Sequence, residues 1–214
     1  MEGARLKRIM REISACEKDP DDEITVKMVD ESPFHLIGTF PGPENSPFEK
    51  GLFKVDIVVP EGYPFHPLQM RFLTRVYHPN VSSQSGAICL DILKDQWSPV
   101  YTLKTTLMSL RSLLCSPEPN DPQDAEVAKH YTSNLDSYNK TAEYWTKVYA
   151  AREPQNDNAD VVQLAGLEEA DVQKFCQKGY NRNAVVTVLK RLNYRGDNAH
   201  NITDEQVISL LGQM

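Results

Sequence analysis

No run of about 18 consecutive apolar residues occurs in this 214-residue chain, which excludes a membrane-spanning helix. An apolar secretory segment is missing as well. The chain starts instead with a charged amphipathic stretch, so a soluble, intracellular protein with reduced thiols is expected, cytoplasmic and/or nuclear. In that setting the Asn-x-Ser/Thr triplets at Asn80, Asn139 and Asn201 carry no glycan. Metal motifs are missing too. The four cysteines, Cys16, Cys89, Cys115 and Cys176, are scattered, with no CxxC pair and no His at ligand spacing, which argues against a zinc site. Nor is there an excess of positive charge. With 23 basic against 30 acidic side chains the net charge is −7, which excludes nucleic-acid binding by bulk electrostatics.

What is present begins with a helix. Leu6, Ile9, Met10 and Ile13 recur at helical spacing and predict one over residues 4–17, with Arg5, Lys7, Arg8 and Arg11 as a basic face on an acidic protein. Asp19-Pro20-Asp21 ends it. Strand periodicity follows: Ile24, Val26 and Met28 alternate with polar residues, then Phe34, Leu36, Gly38 and Phe40. Phe53, Val55, Ile57 and Val59 form a third alternating set, and Met70-Arg71-Phe72-Leu73 a short fourth strand. Short connections between successive strands imply an antiparallel meander with one face under helices, hence an α+β fold. Leucines 103, 107, 110, 113 and 114 predict a buried helix over 103–114. Further helices are expected over 123–131 and 135–151, the latter packing Tyr138, Ala142, Trp145 and Tyr149 into the core.

Three irregular stretches carry chemistry. Tyr77-His78-Pro79-Asn80-Val81 and Ala87-Ile88-Cys89-Leu90-Asp91 flank a polar Ser/Gln/Gly turn. A thiol after such a loop, with an amide close by, suits acyl-thioester chemistry: Cys supplies the nucleophile and Asn a donor for the tetrahedral oxyanion. The bland alternative is that Cys89, flanked by Ile and Leu, is a small core residue. Gly62-Tyr63-Pro64-Phe65-His66-Pro67 is a proline-stiffened aromatic loop, and Phe65 is either core or an exposed partner-binding knob. Asp121, before Pro122, reads as a helix N-cap, with any functional role additional to that.

From Arg152 to Val162 the composition turns polar, which marks a linker that permits mobility. Beyond it, amphipathic segments near 168–178, 182–192 and 204–211 predict a small all-α three-helix bundle, with Gly179 at a helix end wanting positive φ and Thr203 capping the last helix. Its core is too thin to suggest catalysis, so binding is the expected job. The domain reading is therefore 1–151 catalytic, 152–162 linker and 163–214 helical.

The Tyr-Pro-Phe-x-Pro loop, His78-Pro79-Asn80, Ile88-Cys89-Leu90-Asp91, Trp97-Ser98-Pro99 and Pro119-Asn120-Asp121-Pro122 occur in an order that resembles a ubiquitin-conjugating enzyme over residues 4–151. Residues 160–214 resemble a ubiquitin-associated domain. The resemblance implies a four-stranded antiparallel sheet flanked by helices, and a function in which ubiquitin is accepted from the activating enzyme and passed to lysine. The subgroup with such a C-terminal domain favours lysine-48-linked chains. Cys89 would carry ubiquitin as a thioester. Asn80 would stabilise the oxyanion or hold the active-site loop. Asp121 would position or deprotonate the incoming lysine. Lys7, Arg8 and Arg11 would dock on the activating enzyme, Phe65 and Pro99 on a RING- or U-box-type ligase, and Ser85 and Gln123 would border the acceptor ubiquitin. Gly179 and Tyr180 would form the ubiquitin-facing loop of the C-terminal domain. Protein substrates complete the partners; no cofactor, metal, nucleic acid or membrane is implied.

The chain departs from the family pattern at three places. Leu68 stands where a second proline is usual, which is expected to loosen the loop and shift ligase choice. Lys178-Gly179-Tyr180 replaces Met-Gly-Phe, which lowers the expected affinity for ubiquitin. Asn193 to Asn201 is longer than a compact helix connection needs. The competing readings are a conjugating enzyme for another ubiquitin-like modifier and a non-catalytic ubiquitin-binding protein on the same fold. A thiol hydrolase pairing Cys89 with His78 is disfavoured, because a proline follows His78 and no orienting partner is evident. With no cation beside Cys89 in sequence, a weakly activated thiol is expected.

Overall fold

The computed structural model describes residues 2–18, 23–151 and 160–213. The expected stop at Asp19-Pro20-Asp21 and most of the linker, residues 152–159, lie outside the described residues. Helix α1 (Glu2–Glu17) leads into strands β1 (Thr25–Val29), β2 (Ser32–Pro41), β3 (Leu52–Val58) and β4 (Gln69–Phe72). They form one antiparallel sheet in the order β1-β2-β3-β4, as short connections require. Helices α2 (Leu103–Leu113), α3 (Ala125–Ser133) and α4 (Leu135–Tyr149) complete the larger part.

The alternating residues of β3 bury Phe53, Val55 and Ile57 on one face, where they meet Leu36 and Phe40 of β2 and Leu103, Leu107 and Leu110 of α2 in a single core. Phe40, Phe53 and Phe72 pack with ring centroids 6.1 to 6.4 Å apart. Not every apolar position points inward. In α1 only Ile9 and Ile13 of the expected stripe are buried, continued by Cys16, while Leu6 and Met10 are exposed. Met28 is exposed as well, because the β1–β2 register shifts between Met28 and Val29 and ends the alternation. Leu68, which stands where the family usually has a second proline, is fully buried in the core.

The C-terminal part holds α5 (Val161–Leu164), α6 (Glu169–Cys176), α7 (Arg182–Arg191) and α8 (Asp204–Leu211). The three expected helices are α6 to α8. The short α5, capped by Asp160, begins at the end of the stretch that reads as linker, and its Val162 enters the second core with Val172, Phe175, Val185, Leu189 and Val207. Gly179 takes φ +95° after α6, and Thr203 caps α8 through a reciprocal pair with Gln206.

Candidate active site

The site sits where the chain leaves β4 and runs irregularly to α2. Cys89 donates its backbone amide to Asn80 O at 2.8 Å, so the two motifs are laced together across the polar turn. Asn80 is 1 % exposed, and its side chain is fully committed. Its Nδ2 donates to Glu118 O at 2.9 Å and to Asp121 O at 3.0 Å, while its Oδ1 accepts from Glu118 N at 2.8 Å. An amide has two hydrogens to donate, and both are used on the 118–121 segment. Of the two sequence-based roles for Asn80, this geometry matches holding the loop.

That segment brings Asp121 to the sulfur. Cys89 Sγ lies 3.3 Å from Asp121 Oδ2, and on its other side Lys94 Nζ approaches to 3.2 Å. The sulfur holds the Lys94 ammonium in its charged form, raising its pKa. Lys94 was missed as a site residue because it lies five positions on; a single 3₁₀ turn at Asp91–Leu93 returns the chain to the thiol. No cation adjoins Cys89 in sequence, and it is the fold that brings Lys94 to the thiol. Asp121 is not a helix cap either. The N-cap of α3 is Asp124, whose carboxylate accepts from Val127 N at 3.2 Å and from Ser83 Oγ at 2.6 Å, leaving Asp121 exposed beside the thiol.

His78 plays no part at the sulfur. It is fully buried, its Nδ1 accepts from Asn80 N at 3.1 Å, and burial pushes its pKa down to about 4, so it is a neutral structural group. Ser85 and Gln123 are exposed at the rim, and Gln123 N donates to Pro79 O at 2.9 Å.

Phe65 is 77 % exposed on its loop, which removes the core alternative for that side chain. Trp97 Nε1 donates to Pro64 O at 2.8 Å and thereby sets the Phe65 loop next to the loop of Pro99 and Val100, both exposed. Lys7 and Arg11 are exposed on α1. Arg8 is different. It pairs with Glu12 and donates to Pro99 O at 2.9 Å and Tyr101 O at 3.1 Å, so it ties α1 to the Pro99 loop. Buried Glu12 also accepts from Tyr63 OH and Leu103 N, each at 2.7 Å, and so fastens the Tyr63 loop and the start of α2 to the helix. In the C-terminal part Lys178 is paired with Asp204 at 3.0 Å, and half-buried Tyr180 packs on the second core.

Among the described residues no group of three or more His, Cys, Asp or Glu could hold a metal ion, and no helix is long and apolar enough to cross a membrane. The remaining thiols are apart from the site: burial pushes Cys16 up to about 11, while Cys115 is exposed and Cys176 half-buried.

Residues 8–146 match the family model described as "Ubiquitin-conjugating enzyme", and residues 160–211 the model described as "Fungal ubiquitin-associated domain". The chain is 47 % identical over 192 residues to ubiquitin-conjugating enzyme E2 1 of Schizosaccharomyces pombe, covering 89 % of this chain and 88 % of that protein. It is 41 % identical over 185 residues to human ubiquitin-conjugating enzyme E2 K, covering 86 % and 88 %. Among solved structures, a putative ubiquitin-conjugating enzyme from Plasmodium yoelii superposes with a TM-score of 0.67 at 44 % identity, over 70 % of this chain and 97 % of that one.

Proposed function

Because the chain belongs to the ubiquitin-conjugating enzyme family, we propose that it carries ubiquitin on Cys89 and builds lysine-48-linked chains together with a ligase. The observation that carries the reading is the placement of Cys89 Sγ between Asp121 Oδ2 and Lys94 Nζ, on a loop fastened by Asn80. In the first step the sulfur attacks the ubiquitin thioester of the activating enzyme, a new carbon–sulfur bond forms, and the activating enzyme's thiol leaves with the proton. In the second, a neutral lysine amine attacks the thioester carbon. Asp121 accepts the amine's proton, the tetrahedral intermediate collapses to an isopeptide, and Cys89 departs as thiolate beside the Lys94 ammonium. Asn80 acts by holding the 118–121 loop, and Ser85 and Gln123 border the acceptor ubiquitin.

The exposed basic side chains Lys7 and Arg11 suit the acidic surface of an activating enzyme, with Arg8 coupling that helix to the Pro99 loop. Phe65 and Pro99, adjacent and exposed, suit a RING- or U-box-type ligase. We assign residues 1–151 to catalysis and the C-terminal helices, with exposed Gly179 and half-buried Tyr180 in the loop after α6, to ubiquitin. A cytoplasmic or nuclear protein without membrane or nucleic-acid partners fits this pathway.

The test is single-turnover charging with activating enzyme, ATP-Mg and ubiquitin, followed by a chase with ubiquitin that retains only lysine 48. A thiol-labile adduct lost in Cys89→Ser, then di-ubiquitin, is expected. Asp121→Asn is expected to slow the chase by about a hundredfold, the usual worth of a positioned proton acceptor. No adduct with ubiquitin would refute the reading.

A further inference from the structure

The long connection Asn193 to Asn201 is not slack. Tyr194 turns inward and packs edge-on against Phe175 of α6, with centroids 6.3 Å apart. Arg195, the next residue, turns the opposite way. Its side chain is fully buried, with Nη1 donating to Asn193 Oδ1 at 3.0 Å and Nη2 to Glu126 Oε1 at 2.8 Å. Glu126 belongs to α3 of the catalytic part, 69 positions earlier. A buried guanidinium needs a carboxylate, and this one is supplied across the two parts of the chain. Gly196 follows at φ +47°, and a Cβ there would stand 2.5 Å from Asn134 Cβ, so the backbone lies flat on the α3–α4 junction. Nearby, Trp145 Nε1 donates to Leu164 O at 2.6 Å.

What Arg195 grips matters for the site. Glu126 is in the first turn of α3. The cap of that turn, Asp124, accepts from both Ser83 N and Ser83 Oγ, and the amides of Gln123 and Asp124 both donate to Pro79 O at 2.9 Å. Pro79 precedes Asn80, and Asp121 lies just before Gln123. Helix α3 is also tied to the other end of this stretch through Tyr77 OH and His130 Nδ1, 2.8 Å apart.

We propose that Arg195 is a positioning residue for ubiquitin transfer. By clamping Glu126 it holds the start of α3, and with it the two loops that set Asn80 and Asp121 against Cys89. The C-terminal domain then acts on the reaction directly, as a brace behind the acceptor side, in addition to any ubiquitin it binds. This rests on the thioester reading above.

The test uses the full chain charged with ubiquitin and discharged to free L-lysine, a small amine that needs no ubiquitin-binding surface. Arg195→Ala and Glu126→Ala are expected to charge like the wild type but to discharge about threefold to tenfold more slowly, the range of coupling through packed elements. The loss should fall in kcat for lysine with KM unchanged. The double variant should be no slower than either single one, and Arg195→Lys should recover part of the rate. Unchanged discharge in both single variants would overturn the proposal, as would a loss that is additive in the double variant. If either alanine variant does not fold, the double variant Arg195→Met/Glu126→Gln, which removes both charges together and strands neither, decides in the same discharge assay, an unchanged rate overturning the proposal. A wild type that does not charge would overturn the thioester reading itself, before any variant is compared.

Discussion

Replacing Asn80 by Ala separates the two roles an active-site amide can play. Three hydrogen bonds between its side chain and the backbone of Glu118 and Asp121, at 2.8 to 3.0 Å, would be lost. Each is worth about 1 kcal/mol net, and because Glu118 and Asp121 are exposed enough for water to satisfy their backbones, the total is about 2–3 kcal/mol. For a catalytic part of this size that corresponds to a fall in Tm of about 4–12 °C. Amide exchange at Glu118 should quicken, since its partner Oδ1 is gone. Discharge to lysine should slow because Asp121 is no longer held at the sulfur. Urea unfolding, hydrogen exchange over residues 117–122 and single-turnover discharge read these effects separately. Unchanged stability and exchange, with discharge down about a hundredfold to a thousandfold, would refute the argument. That pattern is the signature of deleting a direct oxyanion donor, not a loop tie.

Phe65→Ala removes a side chain that is 77 % exposed, so stability should change by less than about 0.5 kcal/mol while ligase-stimulated discharge is lost and unstimulated discharge is kept. Wild-type stimulation across a panel of RING-type ligases would contradict it. Lys94→Gln removes the ammonium 3.2 Å from Sγ; as an exposed charge it should slow alkylation of Cys89 at neutral pH by about twofold to fivefold, and an unchanged rate would show that the contact does not act on the thiol. Acid should destabilise the fold through two buried histidines. Burial holds His78 at about 4, and burial together with the charge of Arg195 holds His130 at about 3. Both lie below the ordinary histidine value, so the unfolded chain binds these protons first. Stability is complete above about pH 6.5 and declines as pH falls toward 4 and 3, by at most about 1.4 kcal/mol per pH unit for each group. Urea midpoints between pH 7.5 and 5 should show the decline, and His130→Gln should flatten it; an identical slope in that variant would count against the assignment.

Much of this molecule was readable one segment at a time. The alternation of Phe53, Val55 and Ile57 needs only a half-buried strand, and the leucines from 103 to 110 need only a helix lying on it; both kinds of periodicity are written within a few residues. Short connections then dictated an antiparallel order, and turn chemistry at Gly179 and Thr203 marked helix ends. The order of the motifs around Asn80, Cys89 and Asp121 pointed to the family because each is a local pattern.

What depended on how faces meet was not readable. Met28 and Leu6 carry the right character for the core, yet a register shift leaves Met28 exposed and α1 buries Ile9 and Ile13 while Leu6 stays outside. Asp121 and Asp124 are equally good caps in isolation; only the packing of Ser83 and Val127 around Asp124 selects it and frees Asp121 for the thiol. Lys94 reaches Cys89 because one 3₁₀ turn folds back, and Arg195 finds Glu126 only once the two parts are docked. The sequence by itself determined the elements, whose hydrogen bonds and apolar periods close within a few residues. The tertiary structure decided which charge meets which, because a buried or site charge is defined by the partner the fold sets against it, whether five positions away as with Lys94 and Cys89 or 69 as with Arg195 and Glu126.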